Sequence, residues 1–166
     1  AEEMERGLGN VPSAGGEFFT EGTKPPFGNL REWTKALAEL PLVAQPGTVW
    51  NYSVGMDVLG ALIEEVSGMT FGEFLEERIF SPLGMEDTGF IVPEEKLNRF
   101  AANYSPTPDN MMLMDDPEKS GYRTPPQLES GGGGLVSTVG DYLKFAQMLL
   151  NRGEYQGKRY LGKKTV

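Results

Sequence analysis

The chain has no cysteine and no histidine. The first absence excludes disulfides, thiol nucleophiles and thiolate metal sites, and it leaves the redox compartment open. The second removes the commonest general base near neutral pH and the commonest zinc ligand. A Ser-His-Asp triad therefore cannot be assembled from these residues. Acid–base chemistry falls to carboxylates, lysine or tyrosine. Positive charge is scarce too, with 15 basic residues against 24 acidic ones and a formal charge of −9. Such a surface repels phosphate backbones, and no basic stripe interleaved with aromatics offsets it, so nucleic acid is excluded as a partner. No apolar run reaches the length of a membrane span, and the opening "AEEMERGLGN" has no hydrophobic signal core. The expectation is a soluble chain with no membrane partner, a cytoplasmic address being favoured. An initiating methionine is missing as well, which suggests processing or a start partway through something longer.

What is abundant is glycine, at 22 residues, with 12 prolines, and 166 residues suffice for one ordinary domain. These breakers sit between periodic segments, so they read as ordered loops. Residues 1–28 read as loop. Asn29 caps a helix expected to run to Leu40, with Leu30, Trp33, Leu37 and Leu40 on one face and Pro41 closing it. Ser53 is the expected cap of a helix from Val54 to about Val66. Its stripe is Val58, Leu59, Leu62, Ile63 and Val66, and Gly68 ends it. Thr70 and Glu73 have capping-box spacing before a helix that turns Phe71, Phe74, Leu75 and Ile79 inward. Pro82 and Gly84 end that helix, and Pro93 opens a short turn.

Residues 101–130, with five prolines and one apolar patch at Met111–Met114, read as a long irregular loop. After Gly131–Gly134, Thr138 and Asp141 resemble a capping pair. They precede a helix whose apolar face is Leu143, Phe145, Ala146, Leu149 and Leu150, ended by Gly153. Helices dominate, strand signals are weak, and no sheet is evident for the helices to cover.

Familiar catalytic motifs are missing: there is no G-x-S-x-G elbow, P-loop or H-E-x-x-H. The glycine run lacks the preceding strand of a dinucleotide site. Asp109, Asp115 and Asp116 do not follow a calcium-loop spacing and read as solvated charges. Tyr52 stands between a Pro-Gly turn and a helix. With an unperturbed pKa of about 10, tyrosine is a poor base unless a neighbouring cation favours its phenolate or shares its proton. Taken alone, Tyr52 reads as an aromatic that contributes area and one hydrogen bond.

Two blocks change that reading. "PGTVWNYSVGMDVLGALIEEVSGMTFGEFLEERIFSPLGMEDTGF", residues 46–90, resembles the central segment of the serine β-lactamase and penicillin-binding-protein superfamily. "GGGGLVSTVGDYLKFAQMLLNRGEYQGKRYL", residues 131–161, resembles the segment that follows it. Within the superfamily, "YSVGMDVLG" is more similar to family VIII carboxylesterases than to class C β-lactamases. The lactamases place Asn where Val54 stands, and a valine cannot hydrogen-bond a lactam's side-chain amide.

The resemblance implies an α+β fold of the β-lactamase/transpeptidase type. This chain would form one partial domain over 1–166, mainly the helical lobe and a long pocket-bordering loop. It implies a serine hydrolase that cleaves small carboxylic esters through an acyl-enzyme and needs no metal or organic cofactor. Tyr52 would assist proton transfer to and from the nucleophilic serine. Val54, Tyr122, Gly132 and Gly133 would border the substrate pocket. No serine here has a lysine three residues later, Ser120 with Arg123 coming nearest, and the family's Lys-Thr-Gly triad is also missing. The implied partners are therefore the ester substrate and the N- and C-terminal segments of the same enzyme that carry those motifs. One rival is a β-lactamase or D-Ala-D-Ala peptidase of the same superfamily, and another is a non-catalytic helical binding module.

Overall fold

The computed structural model describes residues 28–166 except 43, 51 and 53. All but the last residue of the loop expected at the N-terminus, and Ser53 itself, lie outside the described residues. The chain gathers into two compact units, one holding residues up to 68 together with 127–134, the other holding 69–126 and 135–166.

In the first unit, α1 (Leu30–Leu37) opens as expected, with the Asn29 side chain accepting the Glu32 N–H at 2.9 Å. It stops three residues before the expected end. Pro41 bars Leu40 from helical conformation, and the last turn tightens into the Glu39→Ala36 and Leu40→Leu37 bonds. Leu30 is buried, whereas Leu40 is exposed.

Helix α2 (Gly55–Ser67) packs on α1 and ends at Gly68 in the left-handed conformation, φ 73°. Its cap is Val54, with no side-chain hydrogen bond, in place of the expected Ser53. The expected inward stripe is also corrected. Val58, Leu59, Leu62 and Val66 are exposed, and the buried positions are Asp57, Gly60 and Ala61. Gly60 and Ala61 are small, which allows close packing on that side. Among the described residues nothing covers most of that apolar stripe.

In the second unit, α3 (Phe71–Leu75) begins with the complete capping box. The Thr70 hydroxyl accepts the Glu73 N–H at 3.2 Å, and the Glu73 carboxylate accepts the Thr70 N–H at 2.9 Å. A π-turn over Glu76–Phe80 leads into the short α4 (Ser81–Leu83), which Gly84 ends at φ 67°. The extra residue in that turn moves the inward position by one, so Phe80 is buried and Ile79 is only partly so. Phe71, Leu75, Phe80, Leu83, Met85, Phe90, Val92 and Met148 form the core of this unit. The Phe71 and Phe90 rings are 5.9 Å apart.

Residues 101–130 are not an irregular loop. They contain an antiparallel hairpin of β1 (Asn103–Pro106) and β2 (Met111–Asp115), followed by a 3-10 turn over Gly121–Arg123. The turn Thr107-Pro108-Asp109-Asn110 closes with a Thr107 N–H to Asn110 C=O bond of 2.7 Å. The Met111–Met114 run is exposed along its whole length, so it shows none of the alternation that marks a half-buried strand.

Helix α5 (Val139–Leu150) is capped by Thr138, whose hydroxyl accepts the Asp141 N–H at 3.2 Å. Here too the expected face is corrected: Leu143 and Leu150 are exposed, and the fully buried residues are Asp141 and Met148. The Asp141 carboxylate does not return to the cap. It accepts the Asp87 N–H at 2.7 Å, the Thr88 hydroxyl at 3.1 Å and the Lys144 ammonium at 2.9 Å. Lys144 also donates to the Gly84 carbonyl. Asp141's hydrogen bond raises the Lys144 pKa above its ordinary value. Beside this group, Arg99 and Lys96 bind the Asp87 carboxylate and hold it well below the usual carboxylate range. A tight hairpin of β3 (Glu154–Tyr155) and β4 (Lys158–Arg159) follows, with Gln156 and Gly157 both at positive φ.

Candidate active site

Tyr52 lies outside the helices and strands, two residues before the α2 cap, and it is 85% exposed. It is not the half-buried aromatic of a helix entrance. Val54, next but one in sequence, is 7% exposed, and its carbonyl accepts the Asp57 and Val58 N–H groups at 3.1 and 3.2 Å. The exposed tyrosine therefore leads directly into a buried cap.

The first turn of α2 meets the glycine run in the same unit. An added Cβ on Gly131 would lie 2.6 Å from the Met56 carbonyl oxygen, so only glycine fits there. One on Gly132 would lie 3.3 Å from Asp57 Oδ2, while one on Gly133 would meet open space. None of these glycines has a positive φ. Close approach to the helix, not an unusual turn, is what restricts Gly131.

Sequence reasoning missed Asp57 and Ser130. Asp57 is 1% exposed, and its Oδ1 accepts the Ser130 hydroxyl at 2.6 Å. The Gly132 N–H donates to the same Ser130 oxygen at 3.2 Å. Asp57 Oδ2 is buried without a hydrogen-bond partner among the described residues. An acid in the first turn of a helix normally serves the helix dipole, which is why Asp57 drew no notice. Its signal was the absence of any basic residue three or four positions away on α2.

Tyr122 belongs to the second unit. It sits in the Gly121–Arg123 turn, half-buried, with its ring edge-on to Phe100 at 5.9 Å and its carbonyl accepting the Val92 N–H at 2.8 Å. Ser120, the serine nearest to a Ser-x-x-Lys pattern, is buried and donates to Asp115 at 2.8 Å, so it is committed to the fold. Among the described residues no group of His, Cys, Asp or Glu could hold a metal, and no helix is long and apolar enough to cross a membrane.

This arrangement of helices and small sheets is that of a β-lactamase/transpeptidase-like fold, of which the chain holds a part. Residues 11–165 match the Beta-lactamase family, and the chain belongs to it. It is 37% identical over 161 residues to protein Rv1367c of Mycobacterium tuberculosis, covering 96% of this chain and 40% of that one. It is 32% identical to esterase EstB of Burkholderia gladioli, covering 70% of this chain and 33% of that one. Among solved structures it resembles EstCE1, a hydrolase with promiscuous acyltransferase activity. That match has a TM-score of 0.69 at 27% identity and covers 87% of this chain and 41% of that one. The chain thus spans only about a third to two fifths of these relatives' lengths.

Proposed function

We propose that this chain is the tyrosine-bearing part of a serine hydrolase that cleaves small carboxylic esters through an acyl-enzyme. The observation that carries the reading is the exposure of Tyr52 beside a buried, hydrogen-bonded helix cap, a poor use of an aromatic in packing and a good one in reaching a substrate. The similarity to esterase EstB supports ester chemistry. Val54 supports it further, since its buried isopropyl group offers no hydrogen bond to a lactam amide.

In the complete enzyme, the oxygen of a Ser-x-x-Lys serine outside this chain attacks the ester carbonyl carbon, and the carbonyl electrons move to oxygen. Tyr52, with that lysine beside it, takes the serine proton, because a cation is what brings a phenol into the working range. Collapse of the intermediate breaks the bond to the alcohol oxygen, which receives the proton from Tyr52. Water then repeats the sequence on the acyl-serine and releases the acid. Gly132 and Gly133 form an open wall of the pocket, and Val54 lies beneath it. The uncovered apolar faces of α2 and α5 are the surfaces on which the enzyme's other segments pack.

The test is to label the full-length protein with a fluorophosphonate probe, map the adduct, and compare a short-chain nitrophenyl ester with a chromogenic cephalosporin. The reading expects an adduct on a serine of a Ser-x-x-Lys motif and faster ester turnover. Preferred cephalosporin turnover would favour a β-lactamase, and absence of both labelling and turnover would favour a binding module.

A further inference from the structure

We infer that Asp57 and Ser130 are a positioning pair that sets Tyr52 relative to the Gly131–Gly134 wall. The inference rests on the role proposed above for Tyr52.

Asp57 is among the most deeply buried side chains described, yet its burial is only partly compensated. One oxygen accepts a 2.6 Å bond from Ser130, and the other has no partner among the described residues. A buried charge with an unsatisfied oxygen is a poor stabiliser, and a well-packed apolar residue would generally serve stability as well or better. What such a group provides is placement. The bond from Ser130 is short and charge-assisted, and the positive end of the α2 dipole lies at the same carboxylate.

Placement is what this region needs. Tyr52 is exposed, so little of its side chain is packed against the described residues. The nearest fixed point is Val54, whose carbonyl is held by the Asp57 and Val58 amides. Asp57 is thus joined by its backbone to the segment carrying Tyr52, and by its side chain to Ser130. Ser130 in turn accepts the Gly132 N–H at 3.2 Å, and its carbonyl accepts the Gly134 N–H at 3.0 Å. The missing Cβ atoms of Gly131 and Gly132 let the run lie against the Met56 carbonyl and Asp57 Oδ2. A single carboxylate therefore ties the entry to α2, with the tyrosine, to the backbone of the glycine wall. Neither residue touches the substrate in this account.

The experiment is a double-mutant cycle in the full-length protein, read as kcat and KM on a short-chain nitrophenyl ester. Ser130→Ala is expected to lower kcat on the order of tenfold with little change in KM, as small misplacements of a catalytic group do. Ser130→Thr, which keeps the hydroxyl, is expected to restore most of the loss. The decisive comparison is Tyr52→Phe made in both backgrounds. If the pair positions Tyr52, that change costs several-fold less in Ser130→Ala than in the wild type. Equal cost in both backgrounds would overturn the inference while leaving the role of Tyr52 intact. No cost in the wild type would instead overturn that role, and the inference with it. Should Ser130→Ala fail to fold, Gly132→Ala carries the same cycle, since it keeps both side chains and presses a methyl group within 3.3 Å of Asp57 Oδ2.

Discussion

Removing the Asp141 carboxylate should unfasten the second unit, and the size of the effect can be worked from its partners. The carboxylate is 5% exposed and holds three donors: the Asp87 amide at 2.7 Å, the Thr88 hydroxyl at 3.1 Å and the Lys144 ammonium at 2.9 Å. In Asp141→Ala these losses are unequal. Thr88 retains Ser137, whose hydroxyl is 2.8 Å away. The Lys144 side chain is 33% exposed and can turn to water. The Asp87 amide has no second partner among the described residues, so it carries most of the penalty. Taking about 1.5–3 kcal/mol for a hydrogen bond to a charged group, and a smaller share for Lys144, the expected loss is about 3 kcal/mol. Asp141→Asn keeps one carbonyl oxygen for the amide and should cost about half as much. Urea titration of the full-length protein, followed by circular dichroism, reads both. An Asp141→Ala variant within about 0.5 kcal/mol of wild type, the range of an ordinary surface substitution, would refute the reasoning.

Other outcomes follow from the same structure. Gly131→Ala drives a methyl group into the Met56 carbonyl, with 2.6 Å between Cβ and oxygen, and should cost about 2 kcal/mol or more, whereas Gly133→Ala, in open space, should be near neutral. Thermal melts of the two variants side by side check this. Thr70→Ala removes one half of the capping box and should cost about 1 kcal/mol in a urea titration. The Asp87 carboxyl, depressed first by Arg99 and then by Lys96, contributes stability that is complete above about pH 4, its unfolded value. That contribution is lost as pH falls through the lower folded value. The gap in urea midpoint between wild type and Asp87→Asn should therefore be constant near neutrality and shrink under strong acid. A gap that widened on acidification would contradict the pairing.

Signals confined to a few neighbouring residues were legible in the sequence. The Thr70–Glu73 box, the Asn29 cap and the Gly68 and Gly84 stops each depend on one turn of chain and appear as read. Thr138 caps α5 as expected, but the Asp141 carboxylate turns to the Asp87 amide and the Thr88 hydroxyl, because donors far away in sequence offered better partners. Periodicity located α2 and α5 but not their buried sides. It reveals that a stripe such as Val58, Leu59, Leu62 and Val66 exists, not whether its cover belongs to the same chain. The β1–β2 hairpin escaped because Met111–Met114 has neither β-branched residues nor alternation. Asp57 escaped for a related reason: its partner, Ser130, is 73 residues away. Tyr52 was singled out by resemblance alone: it is exposed, but so is its neighbour Trp50, and nothing in its local sequence marks it as catalytic.

The central claim is that Tyr52 moves the proton in ester cleavage. Its most direct test is kcat/KM for a short-chain nitrophenyl ester in the full-length protein and in Tyr52→Phe, with thermal melts run alongside. Tyr52→Phe should lose about a hundredfold or more at an unchanged melting temperature, as expected for a positioned acid–base group. Retained turnover in an equally stable variant would contradict it.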